Sequence, residues 1–155
     1  MTGGSPAGGT IVYCDTSALA RAYLTDEEGH DGLRARLLGG PEDVVTSALA
    51  EVEMVAALSA AGRAGRIADT RSALTRLSAD LHRDRSILLI ALDGPTALEM
   101  ALSLCERHRL RALDAVHLAV ALTDARTLAG DDRLIFITRD ADQAEAARAE
   151  GLEVE

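Results

Sequence analysis

The chain has 155 residues and a net charge of −9, a size that suits one domain around one core. Its sixteen cationic side chains are all arginine, which excludes Schiff-base catalysis, a P-loop lysine and any lysine general base. Two Tyr, one Phe and no Trp leave few platforms for stacking bases, and an acidic chain is a poor non-specific binder of phosphate backbones.

Residues 1–9, rich in Gly with Ser and Pro, read as a disordered lead-in to a single domain over 10–155. MTGGSPAGGT lacks the basic and apolar regions of a signal peptide, and the apolar runs are too short or too interrupted to span a membrane. A cytoplasmic chain with no membrane partner is expected. TIVYCD (10–15) reads as a buried strand ending at Asp15, and SALARAYL (17–24) as a helix. A loop and a second short helix come next.

DVVTS (43–47) reads as a second strand, feeding an alanine-rich helix from about Ala48 to Ala61. Helical spacing returns over 66–81, SILLIAL (86–92) reads as a third strand, and the segment 93–108 as a helix with Pro95 in its first turn. A helix over about 114–125, a strand RLIFIT (133–138), a helix over 140–150 and a fifth strand at LEV complete the chain. Cys14 and Cys105 have no CxxC spacing and read as buried free thiols.

Strands alternating with helices predict a three-layer α/β/α fold with a mainly parallel sheet of four to five strands. Ligands in such folds bind outside the carboxyl ends of the strands. The polar residues there are acidic. Asp15 comes directly after the first strand, Asp93 after the third and Asp140 after the fourth; Asp114 opens a helix. Asp93 most simply caps the next helix, and Asp142 reads as a solvated first-turn acid.

Glu51 and Glu53 compete for a place at this pole. At about 100° per residue, Glu53 lies about 40° from Leu49, whereas Glu51 lies about 160° away. A sheet-facing stripe of Leu49, Val52, Ala56 and Ala60 therefore favours Glu53, although Met54 and Leu58 fall on the Glu51 side. Asp114 alone reads as a helix cap. Clustered with Asp15, Glu53 and Asp140 it needs a cation, and hard oxygen donors suit Mg²⁺ or Mn²⁺. With no lysine and no evident Ser-His-Asp set, phosphodiester hydrolysis by metal-activated water is the expected chemistry.

VYCDTSAL (12–19), TSALAEVE (46–53), LDAVHLA (113–119) and FITRD (136–140) resemble, in order, the motifs of PIN-domain ribonucleases. The closest resemblance is to VapC-type toxins of toxin–antitoxin pairs, and it runs from Thr10 to Val154. It implies that Asp15, Glu53, Asp114 and Asp140 are both catalytic residues and ligands of one or two Mg²⁺ or Mn²⁺ ions for endonucleolytic RNA cleavage. It also implies a homodimer, and a VapB-type antitoxin through which alone the toxin meets DNA.

Around the acids, the hydroxyls of Thr16, Ser17 and Thr138 are candidates to hold a metal-bound water or a phosphate, or to cap the next helix. Arg107, Arg109 and Arg111 are candidate contacts to the RNA backbone, or cations favoured at the end of the preceding helix. His117 reads as a buried, hydrogen-bonded histidine rather than a general base. The competing reading is a catalytically silent PIN-fold protein that acts by binding and assembly. A receiver domain would need a lysine, and a haloacid-dehalogenase-like phosphatase a second aspartate where Ser17 stands.

Overall fold

Alternation along the strands builds two cores, one on each face of a single sheet. The computed structural model describes residues 8–92 and 94–155; the first seven residues of the expected 1–9 lead-in and the Asp93 cap lie outside these. In β1 (Thr10–Cys14), Ile11 and Tyr13 enter one core while Val12 and Cys14 enter the other. In β4 (Arg133–Ile137), Leu134 and Phe136 share the first core, and Ile135 and Ile137 the second. Successive side chains on a strand point to opposite faces, so an unbroken apolar run requires cover on both sides.

The sheet adds β2 (Asp43–Ser47), β3 (Leu88–Ile90) and β5 (Glu153–Val154), in the order β3-β2-β1-β4-β5 with every pairing parallel. On the Val12 face lie α1 (Thr16–Tyr23), α2 (His30–Gly39), α3 (Leu49–Arg63) and α4 (Thr70–Ser78). On the Tyr13 face lie α5 (Pro95–Arg107), α6 (Ala112–Val120), α7 (Arg126–Ala129) and α8 (Ala141–Ala149). Wider π-helical turns extend α4 over Ala79–Arg83 and join α6 to α7 over Ala121–Ala125. The expected α/β/α layering and parallel sheet are present. Among the described residues no helix is long and apolar enough to cross a membrane.

Three details differ from the sequence reading. β3 is shorter than SILLIAL suggests, because it is the edge strand and pairs only with Val45–Ser47 of β2. Ile87, just ahead of it, is apolar for another reason: it is fully buried in the second core. Cys14 is buried as expected, but Cys105 is exposed on α5. Finally, α3 faces the core with Ala50, Met54, Leu58 and Ala61, not with the Leu49–Val52–Ala56–Ala60 stripe. An alanine-rich helix carries little apolar contrast around its circumference, so periodicity alone misplaces its buried face.

The chain leaves β1 into α1 on one face, and leaves the adjacent β4 into α8 on the other. That divergence opens a crevice at the carboxyl ends of β1 and β4, the topological switch point of an open α/β sheet.

Candidate active site

Asp15 closes β1 at this crevice and is only 2% exposed. Its backbone N–H donates to Ile137 O at 2.9 Å, which fixes it against β4. Carboxylate Oδ2 accepts the Ser17 N–H at 3.1 Å and so caps α1, while Oδ1 accepts Gln143 Nε2 at 3.3 Å. Thr138 Oγ1 lies 3.4 Å from Oδ2 but has a closer acceptor in Gln143 Oε1 at 2.6 Å.

Asp140 caps α8 with Oδ1, which accepts the Gln143 N–H at 2.8 Å; its Oδ2 accepts Arg111 Nη2 at 3.5 Å. The sequence reading has Asp114 open its helix, but α6 begins two residues earlier at Ala112, which puts Asp114 inside the first turn. It does not act as the cap. Its Oδ2 accepts Arg111 Nε at 3.1 Å, while its backbone O accepts Gln143 Nε2 at 3.1 Å. Burial pushes the Asp114 carboxyl above the ordinary range; Asp15 and Asp140 push the same way, and the Arg111 guanidinium opposes them. Negative charge is therefore crowded here even with an arginine in place.

Glu53 reaches the same region from α3. Its Oε1 accepts Thr16 Oγ1 at 2.9 Å and His117 Nε2 at 2.5 Å, and that His117 nitrogen stands 3.9 Å from Asp15 Oδ1. Glu51 points elsewhere and pairs with His82 at 2.7 Å. The preference for Glu53 thus holds for a different reason: the two glutamates flank the buried stripe of α3 on opposite sides, and only one flank faces α1 and α6.

The hydroxyls form the floor between the acids. Ser17 Oγ lies 3.2 Å from Thr138 Oγ1 and accepts the Arg139 N–H at 2.9 Å, and Thr138 Oγ1 accepts the Asp140 N–H at 3.1 Å. Among the three arginines, Arg111 joins the acids with its side chain 82% exposed. Arg107 is turned away onto Glu150 at 2.8 Å, and exposed Arg109 has no hydrogen-bond partner among the described residues. Asp142 is exposed, as a solvated first-turn acid should be.

Two residues of this region escape a sequence reading. Gln143 is fully buried and ties Asp15, Asp114 and Thr138 together. Its one signal is its place three residues after Asp140, the capping-box position, although here the amide turns inward. Tyr13 is fully buried behind the acids, with its hydroxyl 2.8 Å from His117 Nδ1. A lone aromatic in an aliphatic strand is the only hint of it. Among the described residues, no three His, Cys, Asp or Glu side chains stand close enough to grip one cation as they lie.

The sequence pattern of the PIN domain family matches residues 12–149. The chain belongs to this family. Over 152 residues, covering 93% of this PIN-domain chain and 94% of the other, it is 34% identical to Ribonuclease VapC49 of Mycobacterium tuberculosis (strain ATCC 25618 / H37Rv). Ribonuclease VapC47 of the same species (strain CDC 1551 / Oshkosh) is 31% identical over 133 residues, covering 84% of this chain and 85% of that one. The fold is similar to that in a crystal structure of VapBC2 from Rickettsia felis bound to a DNA fragment from their promoter. There the TM-score is 0.61 at 13% identity, covering 94% of this PIN domain and 97% of that chain. A toxin–antitoxin complex from Klebsiella pneumoniae gives a TM-score of 0.51 at 19% identity, covering 86% and 90%.

Proposed function

We propose that this chain is a VapC-type toxin: a metal-dependent endoribonuclease that cuts RNA with water at the acidic crevice and is silenced by a VapB-type antitoxin. One observation carries the reading. Asp15, Glu53, Asp114 and Asp140 line the switch point of the sheet and are tied to one another through Gln143, Arg111 and His117, in a chain similar over most of its length to proteins named ribonuclease.

Those acids would hold one or two Mg²⁺ or Mn²⁺ ions. They fit such ions in kind, since they offer only oxygen and Asp15 is buried without an arginine on it among the described residues. The ion, when bound, supplies a nucleophilic water and offsets charge on a phosphoryl oxygen. The chain's own groups position and shield. Thr16 holds Glu53; Ser17 and Thr138 lock α1 against the β4 end. His117 is fully buried with both ring nitrogens engaged, so it is neither a nucleophile nor a base in this reading.

Arg111 balances Asp114 and Asp140 and is exposed enough to turn outward to an RNA phosphate, with Arg109 beside it. Arg107, committed to Glu150, is left out of that role. DNA enters only through the antitoxin, a partner suggested by the VapBC complex that shares the fold. A second copy is the other partner. Val52 and Val55 on α3 are 67% and 43% exposed, and Leu98 and Leu102 on α5 are 48% and 69% exposed, apolar faces that suit a homodimer. A cytoplasmic location accords with two unpaired cysteines.

The test is to sequence the 5′ ends of cellular RNA after brief induction of the chain without its antitoxin. New ends at defined sites, missing with Asp114→Asn, are expected. An identical set of ends from the variant would show that the acidic crevice does not cut RNA.

A further inference from the structure

His117 is a fully buried polar group with every hydrogen bond accounted for, and those bonds have a direction. Glu53 Oε1, a carboxylate oxygen that only accepts, takes the proton of Nε2, so a neutral ring accepts at Nδ1 from the Tyr13 hydroxyl 2.8 Å away, whose oxygen in turn takes the Ser47 N–H at 3.2 Å. With Nδ1 accepting, the single ring proton of a neutral imidazole sits on Nε2. Nε2 faces Glu53 Oε1 at 2.5 Å, with Thr16 Oγ1 at 3.0 Å.

The ring has little freedom to move. Tyr13 stacks on Phe136 with centroids 5.5 Å apart and planes within 8°, and it meets His117 edge-on at 6.1 Å and 71°. The chain has only three Tyr and Phe residues in all, and two of them build this frame. Both donors to Glu53, from Thr16 and His117, land on Oε1, and no hydrogen bond among the described residues uses Oε2. The frame thus holds one carboxylate oxygen and leaves the other open.

We infer that His117, clamped by Tyr13 and Phe136, is a positioning residue that aims the free Oε2 of Glu53 into the acidic crevice. Unclamped, a glutamate on a helix flank spreads over its rotamers and must lose that freedom on binding a cation. Partners one step behind a metal ligand typically set affinity by about 10–100-fold when removed. The inference rests on the reading of Glu53 as a cation ligand.

The test uses the full chain and Mn²⁺ alone, with binding followed by titration calorimetry and electron paramagnetic resonance. His117→Ala should weaken Mn²⁺ binding about tenfold, and His117→Gln, whose amide N–H can reach Glu53, should restore most of it. Adding His117→Ala to Glu53→Gln should cost little further. A His117→Ala protein that melts lower yet binds Mn²⁺ as wild type does, while Glu53→Gln binds poorly, would reduce His117 to a structural residue. Unchanged binding by Glu53→Gln itself would instead remove the ligand reading on which the inference stands. A measurement without variants guards against misfolding: ¹⁵N spectra of the wild-type imidazole should show the proton on Nε2, and a proton on Nδ1 alone would overturn the inference.

Discussion

Gln143 donates its amide to Asp15 across 128 residues of sequence, at 3.3 Å and with both residues buried. The same amide nitrogen holds the Asp114 carbonyl at 3.1 Å, and its oxygen lies 2.6 Å from Thr138 Oγ1. One side chain from the last helix therefore fixes the spacing of two acids carried by β1 and α6. Gln143→Ala should cost about 1–3 kcal/mol, because it leaves buried polar partners unsatisfied. Chemical denaturation of the wild type and the variant measures it. A loss near zero would mean that solvent replaces the amide and that Asp15 is not held this way.

The acids themselves should burden the fold. The Asp114 carboxyl lies above its ordinary range in the folded chain, so above that value the unfolded state accommodates the charge better. Folding is opposed at neutral pH, and the opposition fades as pH falls through the raised folded value, disappearing below the unfolded one. In EDTA, Asp114→Asn should therefore melt about 1–3 °C higher than wild type near pH 7, with the gap closing in acid. A lower melting point at neutral pH would show that the Arg111 pair outweighs burial.

Arg111 and Arg107 make a matched pair for testing backbone contact. Arg111→Ala should weaken RNA binding and reduce the slope of log K against log salt by about 0.7–1, one phosphate's worth. Arg107→Ala should leave that slope alone, since its guanidinium is held by Glu150. Filter binding of a non-cleaved RNA over a salt series separates them. Equal slopes for the wild type and Arg111→Ala would leave Arg111 as a counter-ion to Asp114 and Asp140 only.

The cysteines report on packing independently of function. Burial pushes the Cys14 thiol up to about 12, so it stays protonated and inert, whereas Cys105 is exposed on α5. A chromogenic disulfide reagent should titrate one thiol in the native chain and a second only after denaturation. Two fast native thiols would contradict the burial of β1.

Much of this architecture is legible in the sequence because it rests on local patterns. TIVYCD and RLIFIT are unbroken apolar runs ended by polar residues, and a parallel sheet gathers the residues just past its strand ends at one pole. Asp15 and Asp140 are such residues. Periodicity points to Glu53 from a misplaced stripe, since Val52, Ala56 and Ala60 on α3 are exposed and mimic a core pattern. Gln143 and the Tyr13–His117 pair are harder to read. Their roles arise from contacts more than 100 residues apart, which periodicity and capping signals cannot register.

The central claim is that the four acids cut RNA with a divalent ion. The most direct measurement is cleavage of a labelled RNA by the purified, antitoxin-free chain in Mn²⁺, in Mg²⁺ and in EDTA, beside Asp15→Asn, a near-isosteric change at a buried site. The account predicts cutting that needs the metal and falls by at least about a hundredfold in the variant, the scale of losing a group that organises the transition state. Cleavage that survives EDTA, or that Asp15→Asn retains in full while remaining folded, would contradict it.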